Sequence, residues 1–353
     1  MIFGTRFAGA ALALGLGLLA ATGCASTATH DSTATPATAP PTDHETAPLF
    51  GSGTAASGLP YELQLERVIG TYGSGPGQMA YPEGVAVDDL GRVFISDTGN
   101  NRVERFDQGG VFIGEFGGFG FDDAHFDHPR DLFVSGGLNL FVLDGENARV
   151  VRYDTDGRLQ GVFVDFNASD ARSTLGQVRP TGLGGEATGY LYVSDQATDR
   201  LIVLNPLAGG WTPLGGFGSQ PGRFRHPTGL AVNLRGTVFV GDGGNGRVQA
   251  LDSFGGFLRA YPLAGPDPAG RVGVAVLPDG EVAACESDSS RLTVFAADGK
   301  LLAQLTSRGS KPGMLDTPSA IAADRLGRIY VADTRNHRVQ VFRIVARRGD
   351  AAH

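Results

Sequence analysis

The residues of this chain best suited to chemistry come as a repeated pair. Asp97 is followed five places on by Arg102, and the spacing returns at Asp144 and Arg149, Asp195 and Arg200, Asp242 and Arg247, Glu286 and Arg291, and Asp333 and Arg338. A carboxylate and a guanidinium at such a spacing can hold a polar ligand or a transferred proton. Six copies at intervals of about 47 residues point elsewhere, because a pair needed in every unit satisfies a turn and holds neighbouring strands. The informative positions are those where the units differ. Directly after the proline that opens each unit stand Glu83, Arg130, Thr181, Thr228, Val272 and Ser319, with Asp131 beside Arg130; Arg271 takes the proline's place in the fifth unit. Glu83 and Arg130 come from adjacent units and are expected to pair. His128 and His226 occupy one repeat position before Pro129 and Pro227, and with His337 they define a conceivable three-histidine site. Zinc needs three or four convergent ligands, and none of the six positions after the proline is histidine, so no metal, other cofactor or catalytic residue is assigned. Glu83, Arg130, Asp131, His128, Thr181, Thr228, His226 and Ser319 remain as candidates for ligand or partner contact.

The elements that must position these residues are short strands. Each unit has a Gly-rich loop, a strand such as 82–87, a turn with Gly, a second strand such as 91–96, the acid-to-Arg turn, a third strand such as 102–106, and a fourth such as 111–116. Four short strands per unit are the blades of a propeller. Six units give an all-β, six-bladed β-propeller. The sixth unit lacks a fourth strand, while Glu62 to Ile69 is a spare one before the first loop; placed as the outer strand of the last blade, it closes the ring. First strands then line a central channel, and the loops before them share one end of the ring with the acid-to-Arg turns. The longest such loop is Asp165 to Arg179. Another carries the aromatic run Gly118 to Phe121, followed by Asp122, Asp123 and Phe126. Those aromatics suit a protein or peptide partner or a space-filling role between blades. Cys285, in the apolar run Val282 to Cys285, reads as a small core residue.

The stretches G-S-G-P-G-Q-M-A-Y-P-E-G-V-A-V-D (73–88) and G-R-V-F-I-S-D-T-G-N-N-R-V-E-R-F-D (91–107) resemble the NHL repeat, as do 215–252 and 308–342. The resemblance extends over 62–345 and implies a six-bladed propeller. Members of that family include protein-binding scaffolds, RNA-binding modules and a peptide-amidating lyase, and related six-bladed folds include calcium-dependent lactonases. The resemblance thus implies a fold and leaves activity open. A lyase of that kind is expected to place zinc-binding histidines around the channel mouth, where this chain has none. A lactonase needs several channel carboxylates or amides for calcium; Glu83 and Asp131 are the acids there, and Arg130 beside them repels a cation.

Of the 353 residues 54 are glycine, in keeping with many tight turns, and net charge is -8 with lysine only at 300 and 311. That balance argues against a nucleic-acid partner. Residues 1–24 read as a lipoprotein export signal: Arg6, an apolar run from Ala8 to Ala21, then Ala21-Thr-Gly-Cys24, in which Cys24 would carry the lipid. Residues 25–58, rich in Ala, Thr and Pro, read as a disordered tether; 59–345 is the propeller and 346–353 a tail. The expectation is an exported, lipid-anchored protein of the outer membrane or periplasmic face, touching the membrane through its anchor alone. Its propeller is read as a scaffold that binds a protein or other macromolecule. The alternative is a metal-dependent lyase or hydrolase at the channel mouth. Nucleophile elbows and Walker loops are absent from the sequence.

Overall fold

Short β-branched and aromatic runs separated by Gly-centred turns cannot bury a face alone; they do so here by stacking sheet upon sheet. The computed structural model describes residues 58–205, 210–265 and 270–347, all within the compact unit Pro48–His353. Cys24, the export signal, the tether up to residue 57 and the tail from residue 348 lie outside the described residues.

Six four-stranded antiparallel sheets follow one another around the ring. Blade one is Gly84–Val87, Val93–Asp97, Arg102–Phe106 and Phe112–Gly117. Blades two to five begin at the strands Pro129–Ser135, Pro180–Gly185, Pro227–Val232 and Val272–Val276. Blade six has Pro318–Ala323, Arg328–Asp333 and Arg338–Ala346, and its fourth strand is Tyr61–Ile69, paired antiparallel to Arg338–Ala346. The ring is therefore closed by the N-terminal strand, as the strand count requires.

Strand direction gives the ring two faces. First strands run down from an upper face, second strands return to it at the Asp–Arg turns, and fourth strands end there in the Gly-rich loops. The hairpins joining first to second and third to fourth strands form the lower face. Between successive blades lie six hydrophobic clusters, one at each junction. Each Gly-rich loop of blades one, two, four and six folds over a fully buried plug, Met79, Phe126, Phe224 or Leu315. The plug is held by a short parallel pairing to a residue seven places earlier: Tyr72, Phe119, Phe217 or Arg308.

Two expectations are corrected. Asp165 to Arg179 is no open loop, since it contains the helix Ser169–Leu175, which buries Ala171 and Leu175 against the sheet. In blade five Val272, not Arg271, takes the proline's register: Val272 lies opposite Glu286, as Pro180 lies opposite Asp195. Blade five also lacks the one-residue bulge that follows this position in blades two, three, four and six, so it has no residue equivalent to Thr181 or Ser319.

Candidate functional site

The Asp–Arg turn is a joint. Asp97 accepts the Ala80 N–H at 2.6 Å and is bonded by Asn100 and Arg102, while Arg102 caps the carbonyls of Ser74, Gly75 and Gln78 in the Gly-rich loop. The ion pair recurs at Asp144, Asp195, Asp242 and Asp333. In blade five Glu286 instead accepts the Ala264 N–H at 3.3 Å. Burial raises the carboxyls of Asp97, Asp144 and Asp333 above the ordinary range, against the pull of their hydrogen bonds and arginines.

Most polar candidates behind the mouth serve as ties between blades. Thr98 donates to Pro129 O, Thr181 to Pro227 O, Thr228 to Val272 O, Ser287 to Pro318 O and Ser319 to Glu83 O, at 2.6 to 3.1 Å. The remaining junction, between blades two and three, is tied by Asp131, which accepts the Leu183 N–H at 2.8 Å as well as that of Leu132. Asp131 stands where Gly84, Gly182 and Gly229 stand in other blades, a difference visible in the sequence. Burial pushes its carboxyl up to about 6; Arg271 lowers it and Glu83 raises it further. Its surface is only partly covered by direct contact, but it sits deep in a narrow channel, where desolvation is the larger effect.

At the mouth itself the expected Glu83–Arg130 pair does not form. Glu83 binds Arg271 at 2.5 Å, reaching across from blade one to blade five. Arg130 binds Glu146 at 2.5 Å, on the turn of its own blade. Gly145 makes room for it, as a Cβ there would come within 2.4 Å of Arg130 Nε. The cavity beneath, about 200 Å³, narrows into apolar walls that include Val85, Leu132, Leu230 and Ile321. A divalent cation does not fit this donor set, because Glu83 is taken by a guanidinium and Asp131 by two N–H groups.

The three histidines are not brought together, and the described residues contain no cluster of three or more metal-ligating side chains. His128, His226 and His337 all have left-handed backbone. They belong to an outer set of ties, in which the residue ending one blade's turn accepts the N–H of the residue before the next blade's first strand. Asn101 accepts from His128, Asp199 from His226, Ser290 from Thr317 and His337 Nδ1 from Tyr81, at 2.6 to 3.1 Å. His337 thereby closes the seam between blades six and one, and burial holds its ring below the usual histidine range. Cys285 is buried, with its thiol pushed up to about 12, as suits a core residue.

What remains free on the upper face is aromatic. Tyr72, Phe119 and Phe217, the exposed partners in the loop pairings, are 69%, 63% and 68% exposed, and Tyr81 and Phe121 join them. Tyr72 and Tyr81 pack on His337, Phe119 on Phe121, and Arg225 lies over Phe217. Next to Phe121's blade a cleft of about 430 Å³ opens between blades two and three, lined by Arg130, Arg172, Arg179, Gln177, Asn167 and Glu146. Sequence reading marked the aromatics of 118–121 but missed Tyr72, Tyr81 and Phe217. Tyr72 and Phe217 share the repeat position of Phe119, which was the available signal, while Tyr81 stands at that of His128 and His226.

Residues 79–106, 224–251 and 315–342 match the NHL repeat. The three matches cover about a quarter of the chain. Each matched segment runs from a buried plug (Met79, Phe224 or Leu315) through the Asp–Arg turn to the third strand, in blades one, four and six. Among sequence relatives, Protein lin-41 of Caenorhabditis elegans is 35% identical over 79 residues, covering 18% of this chain and 7% of that protein. Protein brain tumor of Drosophila melanogaster is 28% identical over 134 residues, covering 36% of this chain and 12% of that protein. The match thus spans a small part of either relative's length. Among solved structures, a streptogramin B lyase aligns with TM-score 0.55 and 14% identity over 80% of this chain and 98% of that one. A gluconolactonase from Xanthomonas campestris aligns with TM-score 0.57 and 17% identity over 76% and 88%. At such identities the likeness is one of fold alone, a β-propeller.

Proposed function

We propose that this propeller is a binding module that presents its upper face to a protein or peptide partner, held at the cell envelope by a lipid on Cys24. The observation that carries the reading is the exposed aromatic set at one repeat position. The pairing that folds each Gly-rich loop is made by backbone and buries the plug seven residues on; it leaves Tyr72, Phe119 and Phe217 in solvent. Exposed Tyr and Phe on a rigid scaffold give large contact area at low ordering cost, which is how protein interfaces gain their central energy. The cleft beside them gathers three arginines against Glu146, in a chain of net charge -8, and suits a carboxylate on the partner. Site-specific photo-crosslinking from the positions of Phe119 and Phe217 in cells tests this: protein adducts are expected from these positions and not from Phe257 on the outer rim. The other reading, a metal-dependent lyase or hydrolase, draws support only from the shared fold, and the channel-mouth residues do not fit the metal it needs.

A further inference from the structure

Besides those along the outer strands, such as Ile113 and Leu258, the exposed large apolar side chains gather on the two faces. Those on the upper face are aromatic. On the lower face they stand on hairpin tips: Leu90, Leu138, Leu234 and Leu326, exposed between 63% and 102%, with Phe254 at 92%. The four leucines belong to the hairpins joining first and second strands in blades one, two, four and six, so they ring the lower end of the channel. Folding does not ask for them. The turns are closed by Gly91, Gly236 and Gly327 N–H groups donating back across the tip, and by the side chains of Asp88, Asn233 and Asp324 accepting tip N–H groups. Single exposed leucines are ordinary; four on protruding tips of one rigid face can act together on a flat apolar surface.

The chain path indicates what covers it. Tyr61 lies opposite Ala346, and Arg347 N–H donates to Pro60 O, so the described chain enters the ring at the lower face. A tether to the lipid proposed on Cys24 would therefore leave the ring from this side. We propose that the lower face rests on a lipid bilayer, with the leucine tips inserted at its surface and the aromatic face turned away. Charge does not drive the contact. Part of the tip charge is paired within the protein, Arg325 with Asp89 and Arg92 with Asp88 and Asp156, and the net charge of -8 repels anionic lipid. Insertion of apolar tips is weak by itself, but a tether to the same membrane supplies a high effective concentration. This inference rests on the lipid proposed on Cys24 together with the exit side of the chain and the exposed tips, and stands apart from the identity of any upper-face partner.

The chain has one tryptophan, which allows a direct test in the full chain. In a Trp211→Phe background, Leu234→Trp, Leu326→Trp and Phe217→Trp probes are reconstituted in phosphatidylethanolamine–phosphatidylglycerol vesicles containing lipids brominated in the acyl chains. The probes at 234 and 326 are expected to be quenched about threefold or more relative to that at 217, with little dependence on salt. A Phe254→Trp probe guards against local damage by the first two. Its quenching should vanish when Leu90, Leu138, Leu234 and Leu326 are all replaced by Ser, with circular dichroism unchanged. Equal quenching at 217 and 234, or none at either, overturns the proposal. So does a dimer in solution that the four serine substitutions dissolve, which would make the face a contact between copies.

Discussion

At the scale of single residues, two groups depart from their repeat equivalents in ways that predict pH dependence. Glu104 occupies the place of Gln249 and Gln340, whose amides donate to Asp242 and Asp333 and to a loop carbonyl. It shares Arg102 with Asp97 and Glu115, three carboxylates around one guanidinium. Burial, with repulsion from Asp97 and Glu115, pushes it up to about 8 despite Arg102. A pKa raised in the fold means stability that is complete below the unfolded value and is lost as pH rises through the folded one. Glu104→Gln should therefore match the parent near pH 4.5 and exceed it by about 2 kcal/mol or more at pH 8, measured by denaturant unfolding; a difference that does not change with pH would refute the assignment. His337 has the opposite sign. Its neutral Nδ1 accepts the Tyr81 N–H, and its pKa is held down, so its contribution is present above the ordinary histidine pKa and lost as pH falls through the depressed value. His337→Asn supplies an acceptor as Asn101 does for His128. It should remove about 1 kcal/mol of the stability lost between pH 7 and pH 5.

At the scale of elements, the first strands of blades three and four pack so closely around the channel that Gly182 has no room for a side chain. A Cβ on Gly182 would lie 1.9 Å from Thr228 O in the next blade. Gly182→Ala should cost about 3 kcal/mol or more, read as a lowered unfolding midpoint, whereas the same change at exposed Gly210, which meets nothing, should have little effect. The blades themselves were legible from the recurring Asp, Arg and Pro, because turn chemistry must be repeated in every unit. Closure by Glu62 to Ile69 followed from counting strands. What the sequence did not disclose were partners across the ring. Glu83 meets Arg271, 188 residues away in the chain, a pairing that no local pattern signals. The helix Ser169–Leu175 escaped notice because seven residues with two buried side chains carry too short a periodicity to read.

At the scale of the whole molecule, the polar residues singled out at the mouth turn out to divide between ring-building and surface. Thr181, Thr228, Ser319 and Asp131 hold blades together, His128 and His226 donate backbone N–H groups to outer ties, and the aromatic loops and the arginine cleft face solvent. The proposed lipid on Cys24 makes a simple prediction: Cys24→Ser should move the protein from the membrane to the soluble fraction, and unchanged membrane retention would sink the anchor. The central claim is that the upper face binds a protein. It is tested most directly by photo-crosslinking from single positions in the full chain, in its own cells. The account predicts discrete protein-sized adducts from positions 119 and 217, competed by one another's partner and absent from position 257. Adducts from 257 alone, or none from the upper face while the folded protein is present at normal level, would contradict it.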